Sequence, residues 1–128
     1  MNELQIKLNG WPYKLESSFT SAWLKILKEK WYYVDKVSDG SIWVKRIDCY
    51  IRTNKTTYCC EIKVVNKDIF PLDHLRPNQF KALRLWESLG WTAIVVVYSK
   101  ELNDYKIIPF DVIKYIDKKD SVKLDFNR

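Results

Sequence analysis

The sequence predicts one α/β domain, residues 1–128, with a central mixed β-sheet flanked by helices. Three observations lead there. The chain has 128 residues, 47 % apolar and 30 % charged, which suits one buried core and excludes a compositionally disordered chain. Apolar residues recur alternately at the three- and four-residue steps of helices and the two-residue step of strands. Only three Gly and four Pro leave no room for a long linker, and there are no internal repeats or low-complexity tracts.

The first fifteen residues are irregular, broken at Gly10-Trp11-Pro12. From Glu16 to Lys30 the stripe Phe19, Trp23, Ile26, Leu27 predicts a helix, with Ser17 or Ser18 as cap. Trp31 to Val37 is aromatic and β-branched and predicts a strand. Ser38-Asp39-Gly40-Ser41 predicts a tight turn, because Asp-Gly readily supplies positive φ angles. Strands follow at 42–52 and 57–65, then a loop over 66–76. Pro77 opens a second helix carrying Phe80, Ala82, Leu83, Leu85, Trp86 and Leu89 on its apolar side, and Gly90 closes it. Trp91 to Tyr98 is almost wholly apolar and predicts a strand buried on both faces. A strand at Asp104–Pro109 and a helix over 110–118 complete the order.

Other features narrow the function. The longest apolar run, Thr92 to Tyr98, falls well short of the ~18 residues of a membrane span. The first residues show no basic-then-apolar signal, and three cysteines, two of them adjacent, read as reduced thiols. A cytoplasmic location is expected, with no membrane partner. With one histidine and no C-x-x-C spacing, a structural zinc site is not expected. The net charge of +6 favours phosphate-bearing partners. Residues 37–67 hold six bases against three acids, so the surplus is concentrated there.

That segment also carries the candidate chemistry. A turn centred on Asn54-Lys55 sets Arg52 across from Thr57, Tyr50 across from Cys59 and Asp48 across from Glu61. Alternation then assigns Arg46, Asp48, Tyr50, Arg52, Cys59, Glu61 and Lys63 to one charged face. Ile47, Cys49, Ile51, Tyr58, Cys60 and Ile62 form the core face. Opposed carboxylates repel, so a cation belongs beside them. Two readings satisfy this: a solvated face laced with salt bridges to Lys63 and Arg46, or a divalent metal on Asp48 and Glu61 with Lys63 beside a water. Carboxylate oxygens suit Mg²⁺, with Mn²⁺ as a substitute.

Asp48, twelve residues, then Glu61-Ile62-Lys63 resembles the active-site pattern of the PD-(D/E)XK nuclease superfamily. The order of helix, three strands, helix and strand over residues 16–98 is similar to that superfamily's restriction-endonuclease-like core. Ser38-Asp39-Gly40, Arg46-Ile47-Asp48, Phe70-Pro71-Leu72 and Leu75-Arg76-Pro77-Asn78-Gln79 resemble bacterial and phage Holliday junction resolvases of the RecU type. Smaller archaeal and viral resolvases are similar in size.

The resemblance implies a metal-dependent DNA endonuclease with Asp48, Glu61, Lys63 and Gln79 in catalysis. It also implies that Glu16, at the head of the first helix, joins Asp48 and Glu61 as a metal ligand. Its expected partners are DNA, branched in the resolvase reading, and a second copy of the chain, since symmetric cuts need two active sites. Arg46, Arg52, Lys55, Lys67 and Arg76 are the expected phosphate contacts. Two alternatives stay open: a flap-, nick- or duplex-directed nuclease, or a basic DNA-binding module without catalysis.

Overall fold

The structure, a computed structural model, describes residues 2–37 and 47–126. The element order is α1 (Glu16–Glu29), β1 (Tyr33–Lys36), β2 (Cys49–Arg52), β3 (Thr57–Val65), β4 (Ile69–Pro71), α2 (Pro77–Ser88), β5 (Thr92–Ser99), β6 (Asp104–Pro109), α3 (Phe110–Ile113) and β7 (Ser121–Lys123). A five-stranded sheet runs β1-β2-β3-β5-β6, and β4 pairs with β7. Only β3 and β5 are parallel, which makes the main sheet mixed, and α2 lies between them in sequence.

Each face of the main sheet is covered. Leu4, Phe19, Trp23 and Leu27 pack on Cys49, Ile51, Tyr58, Cys60, Ile62, Ile94, Val96 and Tyr98. On the other face, Leu72, Leu75, Ala82, Leu83, Phe110 and Ile113 pack on Cys59, Val65, Ala93, Val95 and Val97. Strand β5 is therefore buried on both sides, as its unbroken apolar run predicts.

The hairpin register follows the expectation from Arg52↔Thr57 to Cys49↔Cys60. Thr53 N–H closes the turn on Thr56 C=O at 3.0 Å, and Thr53 Oγ1 accepts from the Lys55 and Thr56 amides. Gly90 follows α2 at φ +96°, the left-handed conformation that ends helices.

Four expectations need correction. The stretch 66–76 is not plain loop: it holds β4 and a 3₁₀ turn at Leu72–His74, with β7 completing a ladder too short for a periodic signal. The last helix stops at Ile113 instead of 118. Leu85 and Leu89 point to solvent, 56 % and 62 % exposed, because Ala82 and Leu83 alone of α2 reach full burial. The head of α1 makes no side-chain cap; Leu15 takes the cap position, not Ser17 or Ser18. The Asp39-Gly40 turn and the part of the predicted 42–52 strand up to Arg46 lie outside the described residues.

Candidate active site

The region around Asp48 departs from simple alternation. Cys49 pairs with Cys60, yet Asp48 N–H also donates to Cys60 C=O at 3.1 Å. Two residues of one strand thus face one of its neighbour, the arrangement of a β-bulge, which re-aims side chains and breaks the period of two. The break is visible in packing: Ile47 joins the α2-side core, whereas Cys49 and Ile51 join the α1-side core. The predicted assignment of Ile47 to the same face as Cys49 is therefore corrected. Asp48 is not directly opposed to Glu61 in a regular pair; its Oδ2 instead accepts Ile62 N–H at 2.7 Å, one residue beyond Glu61. That bond satisfies a backbone donor at the place where the β2–β3 ladder ends.

The face predicted to be charged is largely a second core, which the solvated reading of it does not foresee. Glu61 is only 3 % exposed, beneath α2, and Cys59 beside it is fully buried. Burial pushes the Cys59 thiol up to about 12 and raises Cys60 as well, so these cysteines pack rather than react. Tyr50 does not offer its ring for stacking on a base; it meets Trp86 and Trp91 edge-to-face, both centroids at 5.2 Å.

A buried carboxyl needs partners, and Gln79 supplies one. Its Nε2 donates to Glu61 Oε1 at 3.0 Å, while its Oε1 accepts Lys63 Nζ at 2.9 Å and Arg76 N–H at 2.9 Å. Glu61 and Lys63, two residues apart on β3, point to the same face, and a single amide joins them. The Arg76 bond ties that amide to the head of α2, where Gln79 sits in the third helical position and satisfies an otherwise open backbone donor. This spacing is readable in Arg76-Pro77-Asn78-Gln79, so the helix cap and the site share one side chain.

The remaining predicted residues are dispersed. Glu16 is exposed on α1, whose packing covers the opposite face of the sheet, and its charge acts on Tyr98 there. Among the described residues no three His, Cys, Asp or Glu side chains gather as a metal-holding group, so the three-carboxylate set with Glu16 is not assembled. Arg52 is exposed and donates to Thr57 Oγ1 at 2.6 Å, and Lys55 is exposed in the hairpin turn. Lys67 lines an open cleft with His74 and Lys100, and Arg76 is exposed at the head of α2. Arg46 lies outside the described residues.

Asp48, just before β2, and Glu61, on β3, remain as hard oxygen donors. Carboxylate oxygens of this kind could hold a divalent cation, with water and substrate phosphate completing its shell.

No family model matches the chain, and no curated protein matches it. Among solved structures it is similar to that of Archaeoglobus fulgidus Hjc, a Holliday junction resolvase from an archaeal hyperthermophile. The TM-score is 0.65 at 14 % identity, covering 84 % of this chain and 87 % of the other. The chain therefore shares the fold of that structure.

Proposed function

We propose that this protein is a metal-dependent endodeoxyribonuclease that resolves four-way DNA junctions as a homodimer. The observation that carries the reading is the Glu61–Gln79–Lys63 chain of hydrogen bonds beside Asp48, set in a resolvase-like fold. A buried acid and a lysine held in register by one amide are more than a helix–sheet contact needs.

In this reading Asp48 and Glu61 hold Mg²⁺, or Mn²⁺ in its place. Such an ion supplies Lewis-acid stabilisation of the phosphate and a more acidic water. The reaction is hydrolysis: water adds to phosphorus, the bond to the 3′ oxygen breaks, and that oxygen takes up a proton. A 5′-phosphate and a 3′-hydroxyl remain. Lys63 orients the water and sets a positive charge beside the phosphate as negative charge develops. Gln79 is a positioning residue, fixing where the Lys63 ammonium and the Glu61 carboxylate stand. Exposed Arg52, Lys55, Lys67 and Arg76 contact phosphates.

The test is single-turnover cleavage of a labelled four-way junction and of its linear arms, with and without Mg²⁺. We expect Mg²⁺-dependent cutting of the junction in preference to the arms. Lys63→Ala should lower the cleavage rate by ~10²–10⁴ while junction affinity changes little. Equal cutting of linear DNA points to a general nuclease. No cutting of either, with DNA still bound, points to a binding module. A Lys63→Ala variant that cuts at the wild-type rate removes the proposed mechanism.

A further inference from the structure

A second feature of α2 lies outside the group centred on Gln79. Arg76, Phe80 and Arg84 recur at four-residue steps and so share one stripe of the helix, ~12 Å long at 1.5 Å per residue. Two cations converge on the Phe80 ring: Arg84 Cζ lies 5.3 Å from its centroid, and Lys118 Nζ reaches it at 5.1 Å from the turn after α3. Phe80 is in turn held edge-to-face by Phe110 at 5.0 Å. The stripe begins at Arg76, whose amide is bonded to Gln79, so it is continuous with the candidate active site.

Among the described residues no ion pair takes up the charge of Arg84 or Lys118. Two acids between α2 and α3, Glu87 and Asp111, are both taken by Lys114, at 2.6 and 2.7 Å. Arg84 and Lys118 are exposed. Two like charges gathered on one ring repel each other, and an anion bound between them relieves the repulsion. The ring also orders their long side chains before any partner arrives, which lowers the entropic cost of binding. With cations over it, the half-buried Phe80 ring is not free to stack on a base, so phosphates rather than bases fit this surface.

We propose that Arg84 and Lys118, mounted on Phe80, form a phosphate-binding ridge that grips the DNA backbone away from the scissile bond. The ridge deepens the nuclease reading above and rests on it. Its occupant is a DNA strand whose phosphates run along α2 from the active site.

Binding of a labelled four-way junction in EDTA, titrated from about 50 to 300 mM KCl, tests this. Each lost phosphate contact flattens the plot of log affinity against log salt by ~0.9. Arg84→Ala with Lys118→Ala should flatten it by about 1.8 and weaken binding roughly ten- to sixty-fold at 0.1 M salt. Arg84→Gln with Lys118→Gln, which keeps most of each stem, should do the same. Phe80→Leu should weaken binding with no charge removed. The matched control, Lys25→Ala with Lys28→Ala on the exposed side of α1, should leave the slope unchanged within about 0.5. A wild-type protein that binds no DNA overturns the nuclease reading and the ridge together. Wild-type binding with an unaltered slope in both double variants overturns the ridge alone, as does an equal loss in the α1 control.

Discussion

On the α1 side of the sheet, Phe19 stacks on Tyr98 at 4.5 Å, and Trp23 meets Tyr105 edge-to-face at 6.4 Å. Trp23 Nε1 donates to Leu4 C=O, so even the indole's polar edge is absorbed by packing. On the α2 side the same strands carry Glu61 and Lys63, with Gln79 between them. Adjacent residues of β3 are divided between these tasks, Cys60 and Ile62 to one side, Cys59 and Glu61 to the other. A sheet covered on both faces can let one face stabilise while the other tolerates buried polar groups whose partners must all be supplied.

The largest expected effect breaks the packed face. Trp23→Ala removes a fully buried ring and leaves a cavity, at a cost of ~3–5 kcal/mol, a large share of a domain's stability. Denaturant unfolding reads it directly. A loss below about 1 kcal/mol would mean that the α1 side is not the stabilising layer.

A smaller effect is expected on the polar face. Gln79→Leu keeps the bulk but leaves Glu61 Oε1, Lys63 Nζ and the Arg76 amide without that partner. The expected cost is ~1–3 kcal/mol, moderated because Lys63 and Arg76 reach solvent. The discriminating readout is cleavage, which should fall well beyond what the stability loss explains. If stability falls and single-turnover cleavage does not, Gln79 is a helix cap and nothing more.

The contrast between the faces also explains what the sequence reveals. Helix α1, the β2–β3 register and doubly buried β5 are legible, because apolar period and turn chemistry act locally and agree. Glu61, Lys63 and Gln79 are legible as a spacing. The bulge at Asp48 is not, since one extra residue leaves no mark on the polar–apolar pattern until its partner strand is known. The burial of Glu61 is hidden for a related reason: a strand pattern shows that a residue shares a face with Lys63, not that a helix later covers it. Strands β4 and β7 are three residues each and fifty apart, too short to carry a period.

The smallest predicted effect lies at the one flaw among the described residues of the packed face. Tyr98 Oη is buried without a hydrogen-bond partner, and burial pushes its pKa up to about 12, with the charge of Glu16 adding to the rise. Tyr98→Phe removes a desolvated hydroxyl and keeps the ring stacked on Phe19, so stability should rise by up to about 1 kcal/mol at neutral pH. The alkaline limb gives a second reading. A phenol whose folded pKa is raised holds its proton while the unfolded chain, titrating near pH 10, releases it; stability is full below pH 10 and declines towards pH 12. Tyr58, pushed up to about 12 by burial and its bond to Glu3, contributes the same loss in both proteins. The variant should therefore lose stability less steeply between pH 10 and 12 than the wild type. Parallel curves, or a variant destabilised at pH 7, would show that the hydroxyl is accommodated and that the α1 side carries no such flaw.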